Sequence, residues 1–377
     1  MNRRARIPAM ANAHSHAFQL DLRGIGERVG RPGDDFWSWR TEMYRLAGSH
    51  DPASMRAVGD RVYRQMAAAG YGAVGEFHYV HHQPDGTPYD EPNAMAIALA
   101  EAAVAAGLEI TLLPAAYHRA GPGLAPTAGQ VRFCDPSVEA FLERVDGLRE
   151  WAADRPGVSV GVAAHSTRAV PAPWLQAIAE YADRHGLVRH VHASEQRREL
   201  DEIDAEYGCS PIALLDRTGF LGPRTSVIHA IHVDDLDVEL LAESESIVVT
   251  CPTTEANLGD GVLPGLRYRD GGVRLAIGTD EQTRIDPFEE LREMETLARR
   301  EGQTRDALLA AADGDLWGVT LTNGRASLGL QDAEPGAIEL DLDHPDLAGV
   351  AERDLGLALA TCASAGVVLA GVGAERS

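Results

Sequence analysis

The sequence predicts an α/β fold, a closed (β/α)8 barrel of the TIM type, and three observations lead to this prediction. Short apolar runs alternate with longer amphipathic segments, which is typical of repeated βα units around a parallel sheet. Eight such runs over roughly 320 residues fit a closed barrel better than an open sheet. Polar side chains follow the runs one after another, as catalytic groups do at the carboxyl ends of barrel strands. These side chains are His14, His16, Glu76, His78, His165, His192, His229 and Asp280.

The predicted strands are seven strongly apolar runs and a weaker first run, Ile7–Ala13. The seven are Tyr71–Phe77, Ile110–Ala116, Val158–Ala164, Val188–Ala193, Ser226–Ala230, Ile247–Cys251 and Leu275–Gly278. The predicted helices are Ala53–Ala69, Pro92–Ala106, Val138–Ala153, Ala172–His185, Pro211–Thr218 and Pro287–Arg300. The sequence pattern predicts three parts: a short lead-in over residues 1–10, the barrel over residues 11–330 and a C-terminal segment over residues 331–377.

The composition is that of a globular chain with an acidic surface. Of 377 residues, 24% are charged, and the formal net charge is −23. Such a surface disfavours a nucleic-acid partner, whose phosphates attract a basic stripe. All 34 residues counted as lysine or arginine are arginine. The chain therefore cannot use a lysine Schiff base, a P-loop lysine or a carbamylated lysine that bridges two metal ions.

Nothing in the sequence pattern indicates export or a membrane anchor. The four cysteines are scattered without a CxxC pair, which fits a reducing cytoplasm. The N-terminus lacks the apolar core of a secretory signal. The apolar stretch Leu355–Val372 contains Thr361, Ser364 and three glycines, so it predicts a helix or strand that closes the fold rather than a membrane span.

Two predicted strand ends carry histidines that can share one metal ion. His14 and His16 form an HxH at the end of the first strand, and residues i and i+2 of an extended chain project to the same face. His192 ends a later strand, and Glu195 follows it. His190 lies on the same face as His192, so spacing alone leaves both open, and the downstream glutamate favours His192.

Asp280, just past the last apolar run, completes a donor set of three histidines and one carboxylate. Such a set leaves room for water and is typical of a catalytic site, whereas a closed structural zinc would more often use cysteine, and none is expected near these residues. A bound Zn²⁺ lowers the pKa of its water from ~15.7 to about 7, so that a metal hydroxide can attack an electrophilic carbon. Asp280 can bind both the metal and the attacking water.

The same strand ends supply candidate proton-transfer groups. Glu195 is expected to move a proton from the attacking water to the departing nitrogen. His229, at the end of its own strand, is expected to polarise the substrate or to stabilise the tetrahedral intermediate. His232 is the weaker candidate for that role.

Five motifs resemble those of the amidohydrolase superfamily in its subtype with one metal ion, and within it those of the formimidoylglutamate deiminases. The resemblance extends from about Ala11 to Leu330. The motifs are Asn12–Gln19, Phe36–Arg40 with Met43–Tyr44, Gly75–His82, His165–Val170 and Cys251–Gly261. The resemblance implies hydrolysis of N-formimino-L-glutamate to N-formyl-L-glutamate and ammonia, as in histidine degradation. It also implies a homodimer as a possible assembly, and a terminal β-sandwich that is reduced or missing here, since only Pro335–Val372 could supply it.

The resemblance further implies roles for individual residues. One zinc ion would be bound by His14, His16, His192 and Asp280. The formimino group would be surrounded by Gln19, Glu195 and His229. The glutamate part, an anion, would be held by Arg40, Tyr79, His165 and Arg168. Arginine forks suit such a substrate because they bind carboxylates through paired hydrogen bonds. Glu281 follows Asp280 where the family usually has serine, and spacing leaves open whether its carboxylate faces the metal.

Two alternatives to this function remain. A deaminase of the same superfamily could act on a nucleobase or a triazine, but a flat ring would require aromatic and amide groups. Arg40, Tyr79 and Arg168 favour an acyclic dicarboxylate instead. The chain could also be a non-catalytic protein that binds a metal or a small molecule. Glu195 and His229 argue against this alternative, because binding alone needs neither.

Overall fold

The computed structural model describes residues 3–28, 30, 33 and 35–371. The strands are β1 (Arg4–Pro8), β2 (Met10–Ser15), β3 (Tyr71–His78), β4 (Glu109–Ala116), β5 (Val158–Val160), β6 (Val162–Ser166), β7 (Arg189–Ala193), β8 (Thr225–His229), β9 (Ile247–Thr250), β10 (Arg274–Ile277), β11 (Ala337–Asp341) and β12 (Val368–Ala370). The helices are α1 (Phe36–Ala47), α2 (Pro52–Ala69), α3 (Ala94–Ala105), α4 (Val138–Ala152), α5 (Ala172–His185), α6 (Arg197–Tyr207), α7 (Pro211–Arg217), α8 (Asp235–Glu243), α9 (Pro252–Leu258), α10 (Gly265–Gly271), α11 (Pro287–Gly302), α12 (Leu308–Ala311), α13 (Leu316–Ser327) and α14 (Leu355–Thr361).

Eight parallel strands form the barrel that the sequence predicts. Their spatial order is β2, β3, β4, β6, β7, β8, β9 and β10. Each strand therefore pairs with the next barrel strand along the chain, and the short strand β5 pairs with the first half of β4. The last strand returns to the first through backbone hydrogen bonds, in which the amides of Thr279 and Asp280 donate to His14 O. This contact places the segment after β10 beside the end of β2.

The prediction of one strand over Ile7–Ala13 was wrong. The chain forms two strands, β1 and β2, separated at Ala9, whose amide donates to Gly336 O. The physical reason is a change of partner. Residues of β1 are exposed or half-buried and pair antiparallel with β11, whereas β2 is buried throughout and pairs parallel with β3.

The predicted strand Val158–Ala164 is likewise divided into β5 and β6, at Gly161. A Cβ added to Gly161 would lie 2.7 Å from Val188 O, so only glycine allows the neighbouring backbone to approach this closely. The remaining predicted strands and helices agree with the structure to within two residues at each end. The helices α1, α6, α8 and α13 were not predicted, and neither were shorter helices such as α9 and α10.

Both ends of the described chain contribute to a small antiparallel sheet, in the order β1, β11, β12. The N-terminal segment, expected to be only a lead-in, therefore supplies one strand of it. The apolar stretch Leu355–Val372 forms α14 and β12, and its last residue lies outside the described part of the chain. Among the described residues, no helix combines the length and the apolar character that crossing a bilayer requires.

The helices pack around the barrel on a continuous apolar core. The sequence of α2 shows why it begins and ends where it does. Asp51 caps its first turn by accepting a hydrogen bond from Ser54 N, Pro52 occupies the first helical position, and Gly70 ends the helix with φ of 108°. Gly70 leads directly into β3. The repeated alternation of strand and helix brings the carboxyl ends of all the strands to the same rim of the barrel.

Candidate active site

The predicted site residues meet around one cavity at the carboxyl end of the barrel. Ten of the eleven line its wall: His16, Gln19, Arg40, Tyr79, His165, Arg168, His192, Glu195, His229 and Asp280. The eleventh, His14, is fully buried, and its ring packs edge-on against those of His16 and His192. The structure brings them together because parallel strands end at a common rim.

The two other strand-end residues of β3 lie outside the cavity wall. Glu76 accepts hydrogen bonds from Ser15 Oγ at 2.7 Å and from Ala17 N at 2.8 Å, so it braces the segment that carries His16. Burial raises the pKa of Glu76 to about 8. The buried ring of His78 packs against that of His81.

Hydrogen bonds to backbone carbonyls fix the tautomers of two histidines in the predicted donor set. His16 Nδ1 lies 2.7 Å from Phe77 O, and His192 Nδ1 lies 2.6 Å from His165 O. Because a carbonyl can only accept, each Nδ1 is the protonated nitrogen. Each Nε2 therefore presents a lone pair to the cavity.

The remaining acceptor atoms point to the same place. His192 Nε2 lies 3.2 Å from His14 Nε2, and Asp280 Oδ1 lies 3.5 Å and 3.4 Å from the Nε2 atoms of His14 and His16. These nitrogen and oxygen atoms converge closely enough to bind one divalent cation together. The donor set therefore fits a metal ion.

Burial favours the neutral, cation-binding form of the three imidazoles. It lowers the pKa of His14 and His192 well below the ordinary value and that of His16 to about 3. The rings are thus neutral at pH 7, as metal ligands must be. Burial raises the pKa of the Asp280 carboxyl, and the nearby His229 ring opposes this shift.

The expectation that no cysteine lies near the donor set was wrong. The buried thiol of Cys251, His229 and Asp280 form a second group whose ligand atoms all lie within 4.8 Å of one another. Parallel pairing of β9 with β10 produces this contact, which spacing along the chain does not reveal. Burial raises the pKa of the thiol well above its ordinary value, so the zinc-binding thiolate form is disfavoured.

His229 lies among three carboxylates. Its Nδ1 is 3.2 Å from Glu255 Oε1, and its Nε2 is 3.7 Å from Glu195 Oε1 and 3.6 Å from Asp280 Oδ2. Burial alone would lower the pKa of His229, but the carboxylates raise it above the ordinary value. The ring is thus held so that Nε2 can carry a proton toward the cavity.

The histidines that sequence spacing left open lie elsewhere. His190 is one layer below His192 in the barrel, and its Nε2 hydrogen-bonds to Ser327 O at 2.9 Å. His232 is only partly buried, and its Nε2 hydrogen-bonds to Asp260 O at 2.8 Å. Neither is part of the cavity wall.

Several residues at the strand ends have backbone conformations that side chains rarely adopt. Positive φ angles occur at Ser194 (55°), His229 (71°), Ala230 (47°), Asp280 (44°) and Gln282 (66°). Each costs about 1–3 kcal/mol, and such strain clusters at functional sites where it aims side chains. Here it turns His229 and Asp280 into the cavity.

The cavity wall also contains polar groups that can form further hydrogen bonds or ion pairs. Gln19 Nε2 donates to Tyr79 Oη at 3.0 Å, but the buried Gln19 Oε1 has no partner. The guanidiniums of Arg40 and Arg168 form no ion pair with a described residue, and the buried Nε of Arg168 has no hydrogen-bond partner. His165 packs against Tyr79, with ring centres 5.1 Å apart.

Glu281 is held away from the donor set. Its Oε1 accepts hydrogen bonds from Asn257 Nδ2 and Thr283 Oγ1, both at 2.6 Å. The side chain is buried but does not line the cavity. Its charge nevertheless contributes to the raised pKa of Asp280.

Two carboxylates that support the site were not identified from the sequence. Glu255 accepts from His229 and from the amide of Cys251. Glu199 accepts from the Glu195 amide at 3.1 Å and from Thr167 Oγ1 at 2.7 Å. A glutamate in the first turn of a helix often reaches back to the amides before it, and that signal was available for both.

Comparison with known proteins identifies the family of the chain. The sequence profile of the amidohydrolase family matches residues 6–312. A formimidoylglutamate deiminase from Pseudomonas aeruginosa is 38% identical over 326 residues, which are 86% of this chain and 71% of the relative. A 5-methylthioadenosine/S-adenosylhomocysteine deaminase from Haloarcula marismortui is 28% identical over 90% of this chain and 74% of its own.

A solved structure extends the comparison to three dimensions. The crystal structure of an amidohydrolase from Brucella melitensis superposes with a TM-score of 0.89 at 32% identity, covering 98% of this chain and 85% of that one. The profile match spans most of the barrel, from β1 to α12. The chain therefore belongs to the amidohydrolase family.

Proposed function

We propose that the chain hydrolyses the C=N bond of N-formimino-L-glutamate to give N-formyl-L-glutamate and ammonia. The observation that carries the proposal is the presence, in one cavity, of a cation-binding donor set and two guanidiniums that form no ion pair with a described residue. A metal ion in the donor set would activate water for hydrolysis, and the two guanidiniums suit a substrate with two carboxylates. The name of the Pseudomonas aeruginosa relative supports the same activity.

The cofactor in this proposal is one zinc ion per chain, held by His14, His16, His192 and Asp280. Three neutral imidazoles with one carboxylate form a donor set suited to catalytic zinc. The chain has no lysine that could be carbamylated to bridge a second ion. When bound, zinc lowers the pKa of a water molecule to about 7.

Glu195 is the proposed proton carrier. The water oxygen adds to the formimino carbon, and Glu195 moves the two water protons in turn to the departing nitrogen. The carbon–nitrogen bond then breaks, ammonia leaves, and a carbonyl remains. His229, held by Glu255 at 3.2 Å, donates a hydrogen bond to the oxygen on which negative charge develops. Gln19 Oε1, which is buried and free, accepts from the formimino nitrogen.

The glutamate part of the substrate would be held by four further residues of the cavity wall. Arg40 and Arg168 supply paired N–H donors for the carboxylates. Tyr79 and His165, whose rings pack together, complete this part of the wall. The strongly acidic surface elsewhere makes such local arginines necessary for an anionic substrate.

A deaminase of a flat heterocycle is the alternative. Phe36 and Trp39 also line the cavity, and their rings could stack on a nucleobase. The Haloarcula marismortui relative, named for activity on adenosine derivatives, is consistent with it. The free guanidiniums favour the dicarboxylate.

The test is ammonia release by the zinc-loaded protein. The substrates are N-formimino-L-glutamate, adenosine, 5-methylthioadenosine and an aminotriazine. The variants are Glu195→Gln and, as a matched control, Glu180→Gln on the exposed face of α5. We expect fast release from N-formimino-L-glutamate alone, a loss of at least about 100-fold in Glu195→Gln, and no change in Glu180→Gln.

Release from a heterocycle and not from N-formimino-L-glutamate would replace the proposal with the alternative. No release from any substrate, with one zinc bound per chain, would refute the substrate while leaving the metal site in place. Equal activity in Glu195→Gln and the wild type would refute the role of Glu195.

A further inference from the structure

Trp37 is surrounded by three arginine side chains. The guanidinium carbons of Arg40, Arg168 and Arg198 lie 4.6, 5.2 and 4.3 Å from the centre of its ring. All three distances are within the ~6 Å over which an aromatic face attracts a cation. Trp37 and Arg40 belong to α1, Arg168 follows β6, and Arg198 lies in α6. One indole therefore joins three separate segments beside the cavity.

The three guanidiniums differ in their partners. Arg198 is 58% exposed and donates to Glu202 Oε1 at 2.7 Å. Arg40 and Arg168 line the cavity and form no ion pair with a described residue. Arg168 is only 5% exposed, and its Nε has no hydrogen-bond partner. Both cavity arginines thus contact the indole, and Arg40 also lies 5.5 Å from the centre of the Tyr44 ring. Because neither forms an ion pair with a described residue, both can pair with an anion that enters the cavity.

We propose that Trp37 is a positioning residue for substrate carboxylates and that Arg198 holds its indole in place. The indole orients Arg40 and Arg168 so that their N–H groups meet two carboxylates at once. Trp37 is not part of the cavity wall, so it acts through the arginines and not by touching substrate. This inference rests on the proposed function, since the dicarboxylate is that of N-formimino-L-glutamate.

A positioning role differs measurably from a general structural one. If the indole only stabilised α1, its loss would impair every substrate alike. If it orients the arginines, the effect depends on how many carboxylates the substrate carries. The informative series is N-formimino-L-glutamate with two carboxylates, N-formiminoglycine with one, and formamidine with none.

The experiment compares kcat and KM over this series for the wild type, Trp37→Leu, Trp37→Phe and Arg198→Ala. We expect Trp37→Leu to raise KM for N-formimino-L-glutamate about tenfold, because a cation–π contact contributes an effect of this size. Its kcat should change less than about threefold, and its kcat/KM for formamidine should not change. Trp37→Phe, which keeps an aromatic face, should recover part of the affinity, and Arg198→Ala should show a smaller rise in KM.

Trp151→Leu is the matched control. Trp151 in α4 stacks with Arg155, whose guanidinium carbon lies 4.0 Å from the ring centre, and neither residue lines the cavity. Its removal deletes an equivalent contact elsewhere, so KM should stay as in the wild type. An equal loss on all three substrates in Trp37→Leu, or no change on any, would overturn the positioning role.

Binding of glutarate, a dicarboxylate without the formimino group, separates this inference from the proposed function. The measurement is the rise in melting temperature with glutarate concentration. Stabilisation of the wild type and Trp151→Leu, but much less of Trp37→Leu, supports the inference even if no ammonia is released. Glutarate that leaves the wild type unchanged, or stabilises Trp37→Leu to the same extent, overturns it.

Discussion

The proposed roles of His16, His192 and His229 follow from the partner of the Nδ1 atom of each ring. His16 and His192 donate from Nδ1 to backbone carbonyls, which are neutral, so the rings stay neutral and offer Nε2 as a ligand. His229 instead faces the Glu255 carboxylate, which favours a protonated ring. In the proposed function, three chemically identical side chains are thereby divided between metal binding and proton donation.

Glu255 is therefore expected to act through His229. We predict that Glu255→Gln lowers kcat by about 10- to 100-fold without changing the amount of bound metal, because the ring loses its charged partner. The measurement is steady-state kinetics together with the metal content of the purified variant. Glu290→Gln is the control, since this buried carboxylate accepts from Thr253 and does not contact His229. A Glu255→Gln variant with normal kcat would contradict the prediction.

At the scale of an element, position along a strand decides between a ligand and a structural residue. His190 and His192 point to the same interior face of β7, two residues or about 6.6 Å apart along the strand. The His192 ring contacts His14, whereas the His190 ring hydrogen-bonds to the backbone carbonyl of Ser327 in α13. The residue type is the same, and only the layer of the barrel differs.

We accordingly expect His192→Asn and His190→Asn to have different consequences. His192→Asn should lose bound zinc and activity, because one of the four donors is missing. His190→Asn should retain one zinc per chain and lose about 1–3 kcal/mol of stability through its buried hydrogen bond. Metal content by mass spectrometry and unfolding in urea measure the two effects. Loss of zinc in both variants would contradict this division.

At the scale of the whole molecule, closure of the barrel assembles the site. Asn12 Nδ2 donates to Thr279 Oγ1 at 2.7 Å across 267 positions of the sequence, and the Thr279 amide returns a bond to Asn12 Oδ1. These bonds lie beside His14 and Asp280. The donor set therefore exists only when the first and last strands meet, so metal binding is expected to stabilise the closed barrel.

Global stability is also expected to depend on a buried ion pair outside the cavity wall. Asp135 accepts two hydrogen bonds from Arg144, at 3.1 Å and 2.7 Å. Burial alone would raise the pKa of Asp135, but Arg144 and His82 lower it well below the ordinary value. Because the folded pKa is below the unfolded value of about 3.9, the stabilisation is present above that pH and is lost as the pH falls through the folded pKa.

Asp135→Asn is therefore expected to lower the free energy of unfolding by about 3 kcal/mol at pH 7, since Arg144 is left buried without its counter-charge. The difference from the wild type should be constant between about pH 5 and 8 and should shrink below about pH 4. Urea unfolding at pH 7, 5 and 3.5 measures it. A difference that grows as the pH falls would contradict this assignment.

The sequence alone predicted the barrel and most of its strands, because each strand is a continuous apolar run, but it predicted only six of the fourteen described helices. It also determined the histidines, Glu195 and Asp280 as candidates, since parallel strands place their ends at one rim. Motifs of the family added Gln19, Arg40, Tyr79 and Arg168, and a substrate-binding role for His165. Only the first group follows from local patterns and spacing, whereas the second group depends on the resemblance to the family.

Only the tertiary structure decided which of two equivalent residues enters the cavity and what surrounds it. It separated His192 from His190, turned Glu281 toward Asn257 and Thr283, and brought Cys251 beside the donor set. It also joined Trp37 to three arginines from separate segments. The physical reason is that these contacts form between elements far apart in the chain, where register and layer, rather than local pattern, fix which side chains touch.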